Sequence, residues 1–507
     1  MKKLRLPILA LFMVLTVAGS TPAQQVYFRE GAPQLDFGLD LNWLGSSARA
    51  RAMGGAFMSI VDDASALTWN PAGLIQTLDP QVSFSGVYAR PTSTFDLRYG
   101  GTNNGEFSMD EKVWTVDYAT FLAPITMGGH EFSASVAYQR LDEILSAQSL
   151  QNTFHIVGIL DGWTDTVLTS HYQQTTTGAL NVVNLGFGTS LYKSLAFGAS
   201  ANIYFGTAEE TTEFLYEENG TYYHPQTQKA YEGKSLWRGN ILNEVSYSGF
   251  NMTLGLHYKT EKIGLALVGK TPFELSREYD VTLADTLYHA AIGGTYSAKD
   301  PEPLYIIGGE KEKIEIPITL AAGAHVKITP NFLIAADVEW RRFGTSEVSI
   351  LDSGVIRSSG EKDEYFTVKP LNFQNAGEGR LGFEYLFNSD GAIVPIRGGF
   401  RYVQHYLREI FAMTVAPDDN VDGMMTVESF EYPGDRITGY ALSAGTGIHW
   451  ERIWLDAAFE YYTDNRNVVY VGLGHYNEEV GGWPILVREA EDTFEQTRVT
   501  INFTGFF

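Results

Sequence analysis

The stretch KIEIPITLAAGAHVKI, residues 313–328, decides the fold class of this chain. Its apolar side chains stand at every second position from Ile314 to Ile328, while Lys313 and His325 stand between them. A period of two places alternate side chains on opposite faces of a β-strand. Because the alternation outlasts an ordinary globular strand, it predicts a strand with one face in lipid and the other toward a polar interior.

Similar alternation recurs along most of the chain. It is clearest in residues 332–341, 380–387 and 396–402, where apolar side chains alternate with charged ones. Further copies lie near residues 81–90, 112–123, 131–141, 178–192, 195–207, 244–259, 262–270, 438–450, 453–462 and 495–507. These segments make about fourteen strands, an even number, as bacterial outer-membrane barrels require. The sequence therefore predicts an all-β fold, a transmembrane antiparallel β-barrel of about fourteen strands.

The connections between these segments alternate between short and long. Residues 193–194 and 260–261 form two of the short ones, while 208–243 and 405–437 are long and acidic. Outer-membrane barrels have tight periplasmic turns and longer outer loops. We therefore expect the short turns and both termini on the periplasmic side. The net charge of −24 argues against a nucleic-acid partner, since phosphates demand a basic surface.

The first residues have the pattern of an export signal. A basic start with Lys2 and Arg5 precedes an apolar run, residues 6–17, that is too short to span a membrane as a helix. Small residues follow up to Ala23, which predicts a signal peptide over residues 1–23. No later apolar segment has the length of a spanning helix, and no cysteine is available for a disulfide. The pattern predicts the outer membrane of a Gram-negative-type envelope.

The carboxy-terminal segment carries a candidate assembly signal. Val499, Ile501, Phe503 and the final residue, Phe507, share one face of an alternating segment. An aromatic terminus of this kind resembles the signature by which outer-membrane barrels are recognised for assembly. We therefore expect the barrel assembly machinery and outer-membrane lipids as partners.

One stretch near the N-terminus does not alternate. Residues 46–74, SSARARAMGGAFMSIVDDASALTWNPAGL, are rich in Gly and Ala and carry charges of both signs. Small residues allow tight insertion, so we expect residues 24–80 to fold back into the lumen as a plug, or hatch. Residues 81–507 then form the barrel. The alternative is an N-terminal extension that packs at the periplasmic rim.

The residues of this stretch resemble a known family. The segments MGGAF, VDDASAL and WNPAGL, within residues 53–74, are similar to the N-terminal region of the FadL-like outer-membrane transporters of long-chain fatty acids and hydrocarbons. Residues 316–340 and 379–387 resemble that family too. The resemblance implies a hatch inside a fourteen-stranded barrel, in which residues 70–72 match the family's Asn-Pro-Ala element.

The resemblance also implies a lateral exit for substrate at a kink in the third strand. The third predicted strand contains neither Gly nor Pro between Phe132 and Gln139, and the clearest strand breaker is Pro317. The PorV-like barrels, which serve type IX protein secretion, share the N-terminal motif. A barrel that serves protein secretion or surface anchoring is therefore the alternative to a transporter.

The hatch supplies most of the candidate functional residues. Arg49 and Arg51 are expected to form structural ion pairs with acidic residues of the hatch or the wall. Asn70 precedes a proline, which disfavours the helical region and predicts a turn. The Gly54–Gly55 pair allows close packing and is not a phosphate loop, because the required Lys is missing. The hatch candidates are Arg49, Arg51, Gly54, Gly55, Asp62, Asp63, Asn70, Pro71 and Ala72.

Three arginines on predicted inward faces, Arg380, Arg397 and Arg401, are candidate contacts for substrate. A guanidinium can hold a carboxylate through two parallel hydrogen bonds. The alternative is a network of lumenal salt bridges that braces the wall and docks the hatch, since polar lumens are the rule in such barrels.

The sequence thus predicts passive uptake of hydrophobic molecules, either fatty acids or hydrocarbons. Apolar residues within 156–163 and 410–425 are expected to form a hydrophobic groove for incoming substrate, or alternatively to pack one loop against another. The chain has no HExxH metal motif and no GxSxG nucleophile motif. We therefore expect neither an enzyme nor a bound metal or cofactor.

Overall fold

In the computed structural model the chain forms a closed antiparallel β-barrel with fourteen strands in its wall, which confirms the predicted fold class. The structure describes residues 41–77, 79–99, 102–128, 130–156, 163–224, 229–291, 295–298, 302–351, 365–370, 372–389, 391–415, 428–473 and 485–507. The expected signal peptide and residues 24–40 of the expected hatch lie outside the described residues.

Twenty strand segments build the wall. They are β1 (Gln81–Tyr99), β2 (Thr102–Asp110), β3 (Val113–Met127), β4 (His130–Ile156), β5 (Trp163–Tyr192), β6 (Leu195–His224), β7 (Lys229–Lys259), β8 (Ile263–Lys270), β9 (Phe273–Ala291), β10 (Thr295–Ala298), β11 (Glu302–Ile316), β12 (Thr319–Thr329), β13 (Phe332–Arg341), β14 (Val348–Leu351), β15 (Tyr365–Val368), β16 (Ala376–Ser389), β17 (Ala392–Val415), β18 (Glu428–His449), β19 (Ile453–Leu473) and β20 (Ile485–Phe506).

Five positions in the wall are each occupied by two consecutive segments. These are β2 with β3, β8 with β9, β11 with β12, β13 with β14, and β15 with β16. The short β10 extends the wall only as the hairpin partner of β9. Fourteen wall positions result.

The first and last strands close the barrel. β1 pairs with β20 along its whole length, from Gln81 opposite Phe506 to Tyr99 opposite Arg488. On its other side β1 pairs with β3 and, further from the chain start, with β2. Closure satisfies the backbone groups of the wall within the wall itself, which is what a bilayer demands of a spanning sheet.

The two faces of the wall differ as the sequence predicts. On β13, Val338 and Trp340 are exposed on the outer surface, while Asp337, Glu339 and Arg341 are buried inside. The same alternation holds on β12 and β16. Because apolar side chains are exposed outside and polar ones are buried inside, the outer face is the lipid-facing one.

The stretch of residues 313–328 contains one correction. The sequence predicts one common face from Ile314 to Ile328, yet Ile314 and Ile316 are buried inside the barrel while Ile328 is exposed outside. The change of face occurs at Pro317, which stands in the break between β11 and β12. Proline cannot donate to a strand ladder, so pairing stops there and resumes on the opposite face.

The short turns are confirmed, but the long connections are not loops throughout. β5 and β6 meet at residues 193–194, and β18 and β19 meet at 450–452. The sequence predicts long loops at 208–243 and 405–437, and this is wrong for most of both ranges, which are strand in β6, β7, β17 and β18. Apolar alternation ends where the sequence becomes polar, whereas backbone pairing needs no apolar face.

Ahead of β1, residues 41–77 form what we call the N-terminal segment. It contains helices α1 (Ala48–Ala52) and α2 (Ala66–Trp69) and a 3-10 helix (Pro71–Gln76), and a further 3-10 turn (Phe343–Thr345) precedes β14. The segment packs against inward-facing residues of the wall, and most of its side chains are buried. Within the described residues, no helix is both long enough and apolar enough to cross a membrane.

Candidate functional site

The interior of the barrel is the candidate site, and its end away from the short turns is apolar. An apolar cluster there gathers buried side chains from strands around much of the wall, among them Ile144, Leu180, Val245, Leu275 and Ile314. Lumens of outer-membrane barrels are ordinarily polar. This part of the interior therefore differs from that of a water-filled pore.

Two aromatic groups belong to this apolar cluster. In the first, the ring centroids of Phe343 and Tyr406 lie 5.0 Å apart, and the ring of Phe373 meets Tyr406 edge-on at 5.5 Å. In the second, Tyr204 stacks on Phe273 at 4.6 Å, and Trp43 of the N-terminal segment adds a third ring. The second group therefore joins the wall to the segment.

A small polar cavity of about 30 Å³ lies beside the second aromatic group, between the wall and the N-terminal segment. Its lining includes Trp43, Gln139, Asn184, Asn202 and Lys270. Among the residues that the structure describes, the ammonium group of Lys270 has no hydrogen-bond or ion-pair partner. The cavity thus combines an ammonium group, on which the charge of Glu339 acts, with amide groups at the edge of an apolar region.

Closer to the short turns, Arg49 of α1 forms the centre of an ion-pair network. Its Nε and Nη2 donate to the two carboxylate oxygens of Glu384, each at 2.9 Å, and its Nη1 donates to Asp62 at 2.5 Å. Arg397 donates to the same Glu384 at 2.6 Å and to Asp456 at 2.5 Å. The network joins the N-terminal segment to β16, and through Arg397 to β17 and β19.

A second network surrounds Arg380, further from the short turns. Its Nη2 donates to Glu339 at 2.8 Å and to Glu378 at 2.7 Å, and its Nε donates to Glu378 at 3.0 Å. Arg341 also pairs with Glu339. The guanidinium of Arg380 lies 5.7 Å from the ring centroid of Trp69, so the network also contacts the segment.

A third group of arginines has fewer acidic partners, and we call it the arginine cluster: Arg51, Arg401 and Arg498. Arg401 lies 3.3 Å and Arg51 lies 3.7 Å from the same oxygen of Glu460. The Nε–H groups of all three arginines are buried and donate to no partner among the described residues. The cluster is therefore less well compensated than the two networks.

The structure places all three predicted lumenal arginines in the interior. Arg380 and Arg397 each hydrogen-bond two carboxylates, a geometry that favours the bracing alternative for these two. Arg401 shares its acidic partner with Arg51. A direct role of these arginines in substrate contact stays a prediction.

The opposite side of the interior, on β5 to β7, is lined mainly by uncharged groups. Asn184 donates to Asn202 at 2.8 Å, and Asn202 donates to Asn251 at 2.7 Å and to Thr253 at 2.9 Å. These hydrogen bonds cross three neighbouring strands. They pair buried amides without placing a charge in the wall, although Asn184 Oδ1 has no partner among the described residues.

The Asn70–Pro71 turn contacts this uncharged side. Asn70 is extended (φ −151°), and its Oδ1 accepts from the backbone N–H of Ala72 at 3.1 Å, which starts the 3-10 helix. Its Nδ2 donates to the carbonyl of Leu256 at 3.2 Å. A Cβ at Gly255 would lie 2.1 Å from Asn70 Oδ1. The turn therefore fits only where the wall has a glycine.

The Gly54–Gly55 pair lies against the charged side of the wall. Both residues have positive φ, +65° and +80°, which other residues rarely adopt. A Cβ at Gly54 would lie 2.8 Å from the backbone nitrogen of Phe400, and one at Gly399 would lie 2.1 Å from the nitrogen of Gly54. Close backbone packing is thus present here.

The ionisable groups of the segment are perturbed in different directions. Burial raises the pKa of Asp63 above its ordinary value, although Arg49 opposes this. Burial acts on Asp62 in the same way, but there the charges of Arg49 and Lys259 prevail and the pKa falls. Burial lowers the pKa of Arg51 to about 10, and the charge of Arg498 acts in the same direction.

Two further predictions concern the chain ends and the loops. Phe507 is 70% exposed, and its N–H donates to the carbonyl of Pro80 at 3.0 Å, so the chain end lies beside the start of β1. Its role in assembly stays a prediction. The predicted apolar groove, within 156–163 and 410–425, lies outside the part of the chain whose side chains the structure describes.

Sequence reasoning missed Lys270 and the apolar cluster. Lys270 stands at the end of a predicted alternating segment, in phase with the inward-facing Ala266 and Val268, so the period of two could have placed it in the interior. The cluster gave no such signal, because its members come from many strands and share no local motif.

Comparisons with known proteins agree with this architecture. A family model described as BamG matches residues 7–402 of this chain. No curated protein matches it. The solved structure of the Pseudomonas putida toluene transporter TodX superposes with a TM-score of 0.50 and 14% identity, over 92% of this chain and 99% of that one.

Two other solved structures give similar values. A TodX monoaromatic hydrocarbon channel with the deltaS2 mutation has a TM-score of 0.50 and 15% identity, over 92% of this chain and 100% of that one. A Pseudomonas aeruginosa FadL homologue has a TM-score of 0.49 and 12% identity, over 92% and 99%. At identities this low the two TodX structures show a shared fold alone, and the predicted outer-membrane type of barrel is confirmed at that level.

Proposed function

The chain belongs to the BamG family, and from that premise and its FadL-like outer-membrane barrel fold we propose that it is a channel for the passive uptake of hydrophobic molecules. Long-chain fatty acids and hydrocarbons are the proposed substrates. The proposed location is the outer membrane after removal of residues 1–23, with the short turns and both termini in the periplasm. Outer-membrane lipids and the barrel assembly machinery are the proposed partners.

The apolar cluster carries this proposal. Buried apolar side chains fill the interior at the end away from the short turns, and two aromatic groups lie among them. Such a lining does not favour the passage of water or polar solutes. A hydrophobic solute that enters the cluster is stabilised by a transfer free energy of roughly 25 cal/mol per Å² of apolar surface removed from water. The lining therefore selects for apolar molecules.

Lys270 gives the proposal a finer form. Its ammonium group lines the cavity at the boundary between the apolar cluster and the charged networks, where the carboxylate of a fatty acid would sit with its chain in the cluster. The ammonium group of a lysine side chain binds a carboxylate as a point charge. We therefore favour fatty acids over neutral hydrocarbons.

The N-terminal segment is the proposed hatch, within residues 24–80. It lies against both sides of the interior, with Arg49 bound to Glu384 on one side and Asn70 bound to Leu256 on the other. Barrels of this size otherwise leave an open bore. Passage then requires that the segment shift.

The test uses purified protein in vesicles whose outer leaflet is lipopolysaccharide, which blocks direct entry of fatty acids into the bilayer. Filtered vesicles are counted after addition of radiolabelled palmitate or hexadecane. We expect Lys270→Met to lower palmitate uptake five- to tenfold and to leave hexadecane uptake within twofold. Arg90→Gln, which changes an ion pair on the outer surface, serves as the control and should leave both unchanged.

Two results would contradict the proposal. Equal losses of palmitate and hexadecane uptake in Lys270→Met would remove the headgroup role of Lys270. Uptake that appears only when other outer-membrane proteins are added would favour the alternative, a barrel that serves protein secretion.

A further inference from the structure

The two edges of the N-terminal segment are held to the wall in different ways. One edge is the Asn70–Pro71 turn and the 3-10 helix, which press into glycines of β5, β6 and β7. A Cβ at Gly198 would lie 2.2 Å from the carbonyl carbon of Pro71, and one at Gly188 would lie 3.2 Å from the Cβ of Leu74. This edge interlocks with the wall.

The other edge is helix α1, which faces β18, β19 and β20 with small side chains. Ala48 and Ala52 pack with Ala458 of β19, and Ser443 donates one hydrogen bond of 3.2 Å to the carbonyl of Ala52. A Cβ at Gly445 of β18 would lie 2.5 Å from the Cβ of Ala52, so this contact is close as well, but small side chains form it on both sides. We call this contact the seam.

The arginine cluster lies at the seam and is poorly satisfied. Arg51 and Arg401 are each only 7% exposed, and they share one oxygen of Glu460, at 3.7 Å and 3.3 Å respectively. The buried Nε of each, and that of Arg498, has no partner among the described residues. Buried donors without partners destabilise the contact that hides them. The low pKa of Arg51, which burial causes first, points the same way.

The two networks are better compensated, although Nη1 of Arg380 and Nη2 of Arg397 also lack a partner among the described residues. Arg49 and Arg397 direct several short hydrogen bonds to Glu384, Asp62 and Asp456, whereas Arg51 and Arg401 share one oxygen of Glu460. A displacement of α1 from β19 would free the donors of the arginine cluster to bind an anion. An anionic ligand then stabilises the displaced state relative to the closed one.

We propose that substrate leaves the interior through the seam between α1 and strands β18 to β20, and that Arg51, Arg401 and Arg498 form a transient binding site there for the carboxylate of an anionic amphiphile. In this proposal α1 moves away from β19, and the apolar chain follows the headgroup along β19 toward the turn at 450–452. This inference rests on the proposed function and adds a route and a second headgroup site to it.

The first test locks one edge at a time. The chain has no cysteine, so pairs of cysteines can be introduced without competition from native thiols. Ala52→Cys with Ala458→Cys bridges the seam, and Leu74→Cys with Gly188→Cys bridges the interlocked edge. Palmitate uptake into the lipopolysaccharide vesicles is measured for each oxidised protein and again after reduction by dithiothreitol. Bridge formation is scored by gel mobility.

The seam bridge should lower palmitate uptake at least twentyfold, and reduction should restore it. The bridge at the interlocked edge should leave uptake within twofold of its reduced form. Full uptake through a bridged seam overturns the route, and equal block by both bridges overturns it as well, because the segment then moves as a whole. Uptake in the reduced proteins keeps failure of the route separate from failure of the proposed function.

The second test concerns the headgroup site and does not depend on restraining the movement of the segment. Arg51→Gln with Arg401→Gln should lower palmitate uptake about fivefold and hexadecane uptake less than twofold. Arg90→Gln is again the control at the outer surface. If palmitate and hexadecane uptake fall together, or neither falls, the arginine cluster is not a carboxylate site.

Discussion

The two sides of the barrel interior hold one N-terminal segment by different means. On β13, β16, β17 and β19 the wall presents buried charges in addition to close glycine contacts, and Arg49 of the segment binds Glu384 through two hydrogen bonds. On β5 to β7 the wall presents glycines and amides, and Asn70 meets Gly255 by shape. A buried ion pair orients the segment, but removal of one partner leaves the other charge uncompensated. A close backbone contact instead requires that the wall residue have no side chain.

This difference predicts different failures on the two sides. Removal of one partner from a buried ion pair leaves an uncompensated charge, at a cost of about 3–5 kcal/mol. Addition of a methyl group to a close contact costs about 1–3 kcal/mol through strain. The following changes test the comparison in order of expected effect.

The largest effect should follow removal of the segment from both sides at once. Deletion of residues 26–78, with the signal peptide retained, should leave an assembled and heat-resistant barrel that leaks small hydrophilic solutes. Conductance in planar bilayers measures this, with the intact protein as the control. An assembled deletion protein that conducts no better than the intact one means that the segment is not a plug.

A smaller effect should follow a change on the charged side. Glu384→Gln leaves Arg49 and Arg397 buried with fewer anions, and we expect the free energy of unfolding to fall by about 3–5 kcal/mol. Urea titration in lipid vesicles, followed by tryptophan fluorescence, measures it. In the matched control, Arg90→Gln, an exposed pair loses a partner and the midpoint should barely move. Similar midpoints for the two variants would contradict the view that charge holds this side.

The smallest effect should follow a change on the fitted side. Gly255→Ala places a methyl group 2.1 Å from Asn70 Oδ1, so the turn must shift, at a cost of about 1–3 kcal/mol. The control is Gly379→Ala, where an added Cβ would meet nothing within 4 Å. Urea midpoints of the two variants decide the matter, and an unshifted midpoint in Gly255→Ala would show that the fit is loose.

Much of the wall is readable from sequence. The alternation in 332–341 and 380–387 predicts which residues face lipid and which face the interior, and the structure agrees. The side-chain period of a strand is a local property of the backbone, so it needs no knowledge of the neighbours. The prediction weakens where the sequence becomes polar. In those ranges β4 to β7 continue as strands, although no apolar alternation indicates it.

The candidate site is readable only in part. The sequence indicates that Arg380, Arg397 and Arg401 point inward, but it does not indicate which acids they meet. Glu384 is 335 residues from Arg49 along the chain, and the stagger of the strands brings the two together. The bond between them belongs to the closed barrel and to no local motif.

By itself, the sequence determined the fold class, the number of wall strands and the inner and outer faces of most of them, because alternation with a period of two acts within each strand. Only the tertiary structure decided that the face changes at Pro317 and that the apolar cluster forms. It also decided that Lys270 has no hydrogen-bond or ion-pair partner among the described residues and that Arg51 and Arg401 share Glu460. Each of these depends on which strands lie side by side and at what register, and register is set when the whole sheet closes.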